Sequence, residues 1–589
     1  MQRLFVCILI LAAAQPAWAQ FPTFFDIASG PEVDGGGSGS GVAVGDFDND
    51  GDLDLYVCNS GSHPPGPSLV PNVLLLNNGG TFSSVTTGPT ADTSASQAAA
   101  CADYDNDGLL DIYLCNEDAA NRLYRNTGAG VFADAAAGAA ADTGASVSLS
   151  WADYDNDGFV DLYIVNSFDP LSMTGVANRL LQNNGGTGFT DVSTPDLANA
   201  NVGTSAVWGD YDNDGDQDLY LTNDNGEPNI LFRNDAGALV AVPAAAIAET
   251  GLSSYGATWI DFDNDGNLDL YVANFLGPAK LFKGDGAGGF TDVAAGTPLA
   301  NPSASPPFAG AGFIGLWADY DNDADLDLYI VNHFTPNVVV RNDGAGVWTD
   351  VTGPILAGFG DVHTGGAWAD FNADGDVDLY LPNAVGPNRL YSNEEAVSVM
   401  GGNGNHWLHV ELEGTVSNRS AIGARVEVTT GAVTQTRFVK SGASYLGSDS
   451  LAVEFGLGTA LTADVVITWP SGIVQSLPGV AADQLIDVLE TVSPQFIRGD
   501  CNDDGGVDIA DAVLLLNFLF PVGTPPLLSC EKACDGNDDG TTNIADAVAI
   551  LNSLFGSPTV ALPVPNAASG CGVDPTNDTL ACGATVACP

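Results

Sequence analysis

Seven times between residues 46 and 378 the chain sets oxygen-bearing side chains at positions 1, 3, 5 and 9 of a short turn. The first three sets are Asp46, Asp48, Asp50 and Asp54; Asp103, Asp105, Asp107 and Asp111; and Asp153, Asp155, Asp157 and Asp161. The next two are Asp210, Asp212, Asp214 and Asp218, then Asp261, Asp263, Asp265 and Asp269. The last two are Asp319, Asp321, Asp323 and Asp327, then Asp370, Asn372, Asp374 and Asp378. Each set is a cage of hard oxygens. Two carboxylates about 5 Å apart at an effective dielectric near 20 repel by roughly 3 kcal/mol, so such a turn is costly unless it holds a cation. Ca2+ takes six to eight oxygens in flexible geometry, whereas Mg2+ wants a stricter octahedron, and the expectation is about seven Ca2+ in these loops. A single copy has an acidic, solvated turn as its alternative reading, but the recurrence argues for metal.

Position 6 is glycine, where the chain bends sharply, except for Ala324 in the sixth copy. The seventh has Asn372 at position 3 and Ala373 at position 4. Alanine at a position that favours positive φ costs energy, so the sixth site is expected to be the weakest or most distorted.

Strands must hold these loops. After position 9 the first copy runs Leu55-Tyr56-Val57-Cys58-Asn59, and before position 1 Val42 and Val44 alternate with small residues. Trp151, Trp208, Trp259, Trp317 and Trp368 stand two residues ahead of the first Asp in five other copies. The loop therefore joins two strands of a hairpin and is not a helix-loop-helix. A third strand such as 121–126 follows, then a Gly-rich turn and a short segment beginning at Phe82, Phe132, Phe189, Leu239, Phe290 or Trp348. Four strands per repeat of 50 to 58 residues make a propeller blade. The seventh loop lacks a final segment, but Phe24-Phe25-Asp26-Ile27 precedes the first. This strand is predicted to complete the seventh blade and close the ring, removing open sheet edges. Residues 21 to 393 resemble FG-GAP/VCBS repeats, the seven-bladed propeller of integrin alpha chains and many bacterial secreted proteins; the resemblance implies Ca2+ in the Asp-rich loops.

Residues 1–19 carry one Arg, an apolar run from Leu4 to Ala14 and Ala17-Trp18-Ala19 before Gln20, and read as a secretory signal peptide. No other run approaches the roughly 20 apolar residues of a membrane span. The mature chain is expected to be secreted or at the cell surface, without membrane insertion. At 589 residues it should hold several domains, and a formal charge of −59 makes nucleic acid a poor partner.

The propeller is assigned to residues 20–398. Residues 403–490 lack Asp loops and alternate as strands, as in His409-Val410-Glu411-Leu412-Glu413, so a second all-β domain is expected. Asn405-His406-Trp407-Leu408, residues 418–424, Phe455-Gly456-Leu457-Gly458 and Trp469-Pro470-Ser471-Gly472 resemble the ASPIC/UnbV domain. His406 and His409 could be a zinc pair by spacing, but an i, i+3 pair falls on opposite faces of a strand.

Residues 499–556 change pattern again. Asp500, Asn502, Asp504, Asp508 and Asp511 occupy positions 1, 3, 5, 9 and 12 of a loop, and Asp535, Asn537, Asp539, Asn543 and Asp546 repeat them. A helix follows each. Ile509, Ala512, Val513, Leu516, Leu519 and Phe520 are predicted to share one face, as are Ile544, Ala547, Val548, Leu551, Leu554 and Phe555. The pair resembles a type I dockerin, which implies two further Ca2+ and a cohesin-like or cell-surface partner. It departs from cohesin-reading members in having Ile-Ala at positions 10 and 11 and no basic residues on the helices. The tail, 557–589, is rich in cysteine; with Cys501, Cys530, Cys534, Cys571, Cys582 and Cys588 close in sequence, a disulfide framework is expected, with zinc at Cys530 and Cys534 the competing reading. Cys101 and Cys115 flank one hairpin at positions that could face each other, leaving Cys58 over.

Nucleophile-elbow, phosphate-loop and His-Glu-x-x-His motifs are all missing from the sequence. A site assembled from loop residues such as His63, His333 and His363 stays open. The fold expected is mainly β: a seven-bladed propeller, a small all-β domain and a small α-helical dockerin-like calcium module. Two functions compete: a non-enzymatic calcium-binding adhesion protein for extracellular protein or glycan, and a calcium-dependent polysaccharide lyase or hydrolase carrying a dockerin.

Overall fold

The computed structural model describes residues 24–28, 30, 38–60, 70–169, 174–243, 246–275, 277–301, 312–333, 335–393, 404–442, 445–491, 496–497, 501, 507, 509–521, 534–535, 537, 541–555 and 571–572. The predicted signal peptide, His63, Cys530, Cys582 and Cys588 lie outside them, as do Asp500, Asn502, Asp504, Asp508 and Asp539. The described residues up to Glu490 form one compact unit and those from Thr491 a second.

The first unit begins with seven sheets in a ring, six of four antiparallel strands and one, the first, in which four such strands are joined by the short parallel strand Gly447–Ser448. In the first, strands Gly39–Gly45, Asp54–Asn59, Val73–Asn77 and Phe82–Val85 follow in order, with the acidic loop joining the inner two. The inner strands read as near-continuous small and apolar runs because both faces of each sheet are covered by neighbouring blades. Cores form between sheets: Val42, Leu55 and Val57 of the first blade pack with Ala367, Phe371 and Tyr380 of the seventh. That contact closes the ring. Phe24–Asp26 pairs antiparallel with Arg389–Asn393, Phe24 opposite Asn393, so the N-terminal strand completes the last blade as the sequence predicted.

The all-β segment that follows is not a separate body. Its strands His406–Glu413, Arg425–Thr430, Val433–Phe438, Val453–Gly458, Thr462–Thr468, Val474–Ala481 and Gln484–Leu489 build two sheets on the ring face that carries the acidic loops. They share a core with blades two and three through Leu408, Ile422, Trp151 and Tyr104. Residues 440–442 and 445–449 sit on the ring axis. Trp151 N–H and Ser150 Oγ donate to the Ser441 carbonyl, Ser441 Oγ donates to the Cys101 carbonyl, and Gly447–Ser448 pairs parallel with Val42 and Ala43. Tyr445 packs edge-on against Tyr255 at 5.3 Å, and the Trp368 N–H reaches Asp449. A Cβ on Gly365 would collide with the Leu446 carbonyl, so glycine admits this segment to the axis.

Cys101 and Cys115 do not face each other: the register sets Cys101 opposite Ile112 and Cys115 opposite Ala98. Both thiols and Cys58 are buried and unbridged. The hairpin register is fixed by position 9 beginning the second strand, which offsets the two cysteines by three residues.

In the second unit, α1 (Ile509–Leu519) and α2 (Ile544–Phe555) pack together, and Cys501 is disulfide-bonded to Cys534. The predicted helical faces need correcting. Ala512 with Leu515 and Ala547 with Ile550 are buried, whereas Ile509, Val513 and Phe520 and their counterparts Ile544, Val548 and Phe555 are exposed. Both helices are apolar almost all round, so periodicity could not select the stripe that the other helix covers.

Candidate metal centres

Each acidic loop is a hairpin turn whose backbone amides are gathered by its own carboxylates. In the second loop Asp103 accepts from the amides of Asp107 (3.0 Å) and Gly108 (2.7 Å). The same pair of bonds recurs from Asp46, Asp153, Asp210, Asp261, Asp319 and Asp370. The ninth residue ties loop to sheet: Asp111 accepts from Tyr104 N–H at 3.2 Å and from Asn126 N–H, on the third strand, at 2.7 Å. These bonds hold first and ninth carboxylates toward each other.

The structure brings the predicted residues together. In the second, third and fourth loops the first, third and ninth carboxylates each offer an oxygen, all within 4.8 Å; in the first and fifth the first, third and fifth do. Asp54 and Asp269 are buried as well, Asp54 accepting from Phe47 and Asn77 N–H and Asp269 from Phe262 and Gly284 N–H. In the sixth loop Asp319 and Asp327 are buried, and in the seventh Asp370 and Asp378 enclose the same turn around Asn372 and Asp374.

Two observations test whether these sets suit a cation. Asp48, Asp105, Asp155 and Asp212, all at position 3, each keep a buried Oδ1 that no hydrogen-bond donor reaches. Burial, reinforced by neighbouring loop carboxylates, pushes Asp54 up to about 7, Asp111 and Asp218 to about 8 and Asp161 to about 9. A buried acceptor without a donor, set among other carboxylates, is stabilised by a hard cation. The donor set fits Ca2+ in chemistry: carboxylate and amide oxygens without nitrogen or sulfur.

The sites are not equivalent. Arg125 extends from the third strand onto Asp105 and Asp107, and Lys283 onto Asp263 and Asp265. In the third loop the corresponding residue is Gln182, whose amide donates to Asp155. The sixth loop keeps the shape of the others: Ala324 stands at φ 83°, within a few degrees of Gly266 at 84°, and donates to Asp319 at 2.8 Å. The irregularity expected there is carried as strain at Ala324 and not as a change of form.

Two asparagine series complete the frame and were missed in the sequence. Those closing the third strand reach the preceding blade, as Asn126 Nδ2 reaches the Phe47 carbonyl (2.8 Å) and Asn77 the Phe371 carbonyl (2.8 Å). Those at loop position 4, at φ 55 to 60°, reach the next loop. Their regular recurrence was the available signal.

The two histidine candidates separate. His406 pairs with Asp483 at 2.8 Å on the surface, while His409 is buried, its ring against Trp407, and burial holds it neutral with its pKa down at about 3. His363 is buried and bonded to the Pro382 carbonyl, and His333 packs on Phe313. In the second unit Asp511 and Asp546 are buried, and Asp546 accepts from Asn537 and Asn543 N–H, closing the loop from position 12 onto positions 3 and 9.

Fold and loops together define a propeller of FG-GAP-like repeats, matched at residues 59–114, 103–164, 210–272, 261–330 and 319–381, joined to an ASPIC and UnbV segment at 414–495 and a dockerin type I domain at 498–555. Cartilage acidic protein 1 of Mus musculus is similar, 30% identical over 305 residues covering 47% of this chain and 43% of that protein. The Homo sapiens protein of the same name is 29% identical over 47% and 42%. The chain thus spans under half the length of the curated relatives it matches. A solved lectin from Burkholderia pseudomallei is similar at TM-score 0.43 and 13% identity, over 60% of this chain and 96% of that one. No helix among the described residues is long and apolar enough to cross a membrane.

Proposed function

We propose that this chain is an exported, calcium-stabilised interaction protein whose propeller binds extracellular protein or glycan. The observation that carries the reading is the seating of residues 440–442 and 445–449 on the ring axis, over the face that bears the acidic loops. Calcium at that face acts as a structural clamp shared with the β segment: Arg419 N–H donates to Asn106 of the second loop, and Gly458 N–H to the Asn322 carbonyl of the sixth. The opposite face, formed by loops between second and third strands and by blade connectors, is left for a partner. Ile355, Phe359 and Val385 are exposed there.

The tail module is the docking device. α1 and α2 offer matching exposed side chains, Ile509, Val513 and Phe520 against Ile544, Val548 and Phe555, suited to a cohesin-type protein partner. The disulfide supports an oxidising, extracytoplasmic location. Screening the full chain against glycan and matrix-protein arrays, with Ca2+ and with chelator, tests the reading. Retention lost on chelation, and lost again in Phe359→Ser with the fold intact, is expected. Retention by neither array, or release of reducing or unsaturated ends from a polysaccharide, would overturn it.

A further inference from the structure

Between the ring and the β segment lies a cavity of about 100 Å3, bounded by blades five to seven and by strands Val433–Phe438 and Val453–Gly458. It far exceeds the roughly 10–15 Å3 that one water needs on this measure. Its wall is rich in donors without acceptors. The indole N–H groups of Trp259, Trp317 and Trp368 have no protein partner, nor have Arg437 Nε and Thr436 Oγ1. Lys440 has only the Trp259 carbonyl at 3.4 Å, and the Arg437 terminal nitrogens reach only the Thr436 carbonyl and Gln435 Oε1. Arg437 and Lys440 both line the cavity, and each keeps part of its surface accessible.

The acidic side chains of the wall are already engaged. Asp449 accepts from the backbone N–H of Trp368 at 3.1 Å, Glu454 from the Asp370 amide, and Asp261 and Asp319 from the backbone of their own loops. No described carboxylate pairs within 4 Å with Arg437 or Lys440. The two cations are partly offset at longer range, Arg437 by Asp319, Asp261 and Asp325 and Lys440 by Asp449, but the five orphaned donors around one void still call for an acceptor-rich occupant.

We propose that this cavity binds a compact oxyanion, of the sulfate or short-carboxylate class, held by Lys440, Arg437 and the indole N–H groups of Trp259, Trp317 and Trp368. The site links the ring to the segment above it: the indoles come from the propeller, both cations from the β segment. It rests on the calcium reading in one respect: Asp261 and Asp319, the first ligands of the fifth and sixth loops, line the same wall, and a cation in those loops offsets their charge.

Equilibrium dialysis of the full chain against radiolabelled sulfate, and separately acetate, at fixed ionic strength tests it. About one anion per chain is expected, with affinity falling about tenfold in Lys440→Met. Trp317→Phe and Thr436→Val, which keep ring and volume, are expected to fold and to weaken binding several-fold. The stronger of the two arms distinguishes a sulfur oxyanion from a carboxylate. Neither anion retained by folded protein would mean a water-filled cavity and overturn the proposal. So would retention unchanged in folded Trp317→Phe and Thr436→Val, which marks an adventitious ion only.

Discussion

Asn106 Nδ2 donates to the Gly158 carbonyl at 2.9 Å, binding the second acidic loop to the third. Asn264 and Asn322 repeat the bond to Ala324 (3.0 Å) and Gly375 (3.3 Å), and Asn156 and Asn213 reach Asp216 and Asn267 instead. The series stops at Ala373, which holds the same φ, 57°, without a side chain that can reach the first loop. Ala373→Asn should therefore stabilise the chain by up to about 1 kcal/mol, by relieving the left-handed backbone and supplying the missing bond. Asn106→Ala should cost about 1–2 kcal/mol, and Asn106→Gly less, since both lose the bonds to Gly158 and from Arg419 N–H but glycine keeps the left-handed backbone without strain. Urea unfolding in Ca2+ measures all three; no difference between the two Asn106 variants would show that the left-handed φ costs nothing there.

The raised carboxyls give stability a pH dependence whose sign reverses with metal. Without metal, Asp103 and Asp210 stand at about 6, Asp54 and Asp153 at about 7, Asp111, Asp218 and Asp269 at about 8, and Asp161 at about 9, from an ordinary 3.8. Their contribution is fully present below the unfolded value and is lost as pH rises through the folded values. Metal-stripped protein should thus have a Tm that falls from pH 5 to pH 8. With saturating Ca2+, which binds the ionised form, Tm should rise over the same interval. Parallel slopes in the two melting series would reject metal at these loops.

Arg125 and Lys283 compete with an ion for position 3 and position 5 carboxylates. Lys283→Met should tighten Ca2+ at the fifth loop severalfold and weaken the metal-free fold, because the carboxylates then lack any counter-charge. Calorimetric titration of stripped protein reads the first effect and its Tm the second. Equal titration curves for variant and parent would mean that Lys283 swings aside at no cost.

The loops and strands were legible because their signals are local. Asp46 to Asp54 specify a cage within nine residues, and the period-2 runs beside them specify strands. Even ring closure could be read, because one blade lacked a segment and Phe24–Asp26 was left over. Ser441, Tyr445 and Leu446 carried no comparable signal. Their partners, Cys101, Tyr255 and Val42, are distant in sequence, and small polar residues between strands read as an ordinary turn. The tryptophans ahead of the loops were legible as strand markers, but not as the wall of a cavity that exists only once the β segment has docked.

Closure is testable within one dipeptide. Phe24 is 3% exposed and packs on Tyr320 and Trp368 at 6.0 Å, whereas Phe25 is 52% exposed on the other side of the strand. Phe24→Ala should cost about 3–5 kcal/mol, and Phe25→Ala about 0.5 kcal/mol or less. Denaturant midpoints of the two variants decide it. Similar midpoints would mean that the strand is an ornament on an already closed ring.

The Cys501–Cys534 bond joins position 2 of the first tail loop to the residue before the second, with Cα atoms 4.9 Å apart and both cysteines buried. Among the described residues of the two helices only Ala512, Leu515, Ala547 and Ile550 are fully buried apolar side chains, with leucines such as Leu516, Leu519, Leu551 and Leu554 partly buried against them. So small a core leaves much of the stability to the cross-link, about 3–4 kcal/mol for a loop of this length on the chain-entropy estimate. It also anchors the start of the second loop, which Asp546 closes from position 12 onto Asn537 and Asn543. Reduction of the full chain should therefore remove a low-temperature calorimetric transition belonging to the tail and weaken the last two equivalents of a Ca2+ titration, while the transition of the first unit stays in place. A tail transition that survives reduction, or a ring transition that moves with it, would show that the disulfide does not act locally on this module.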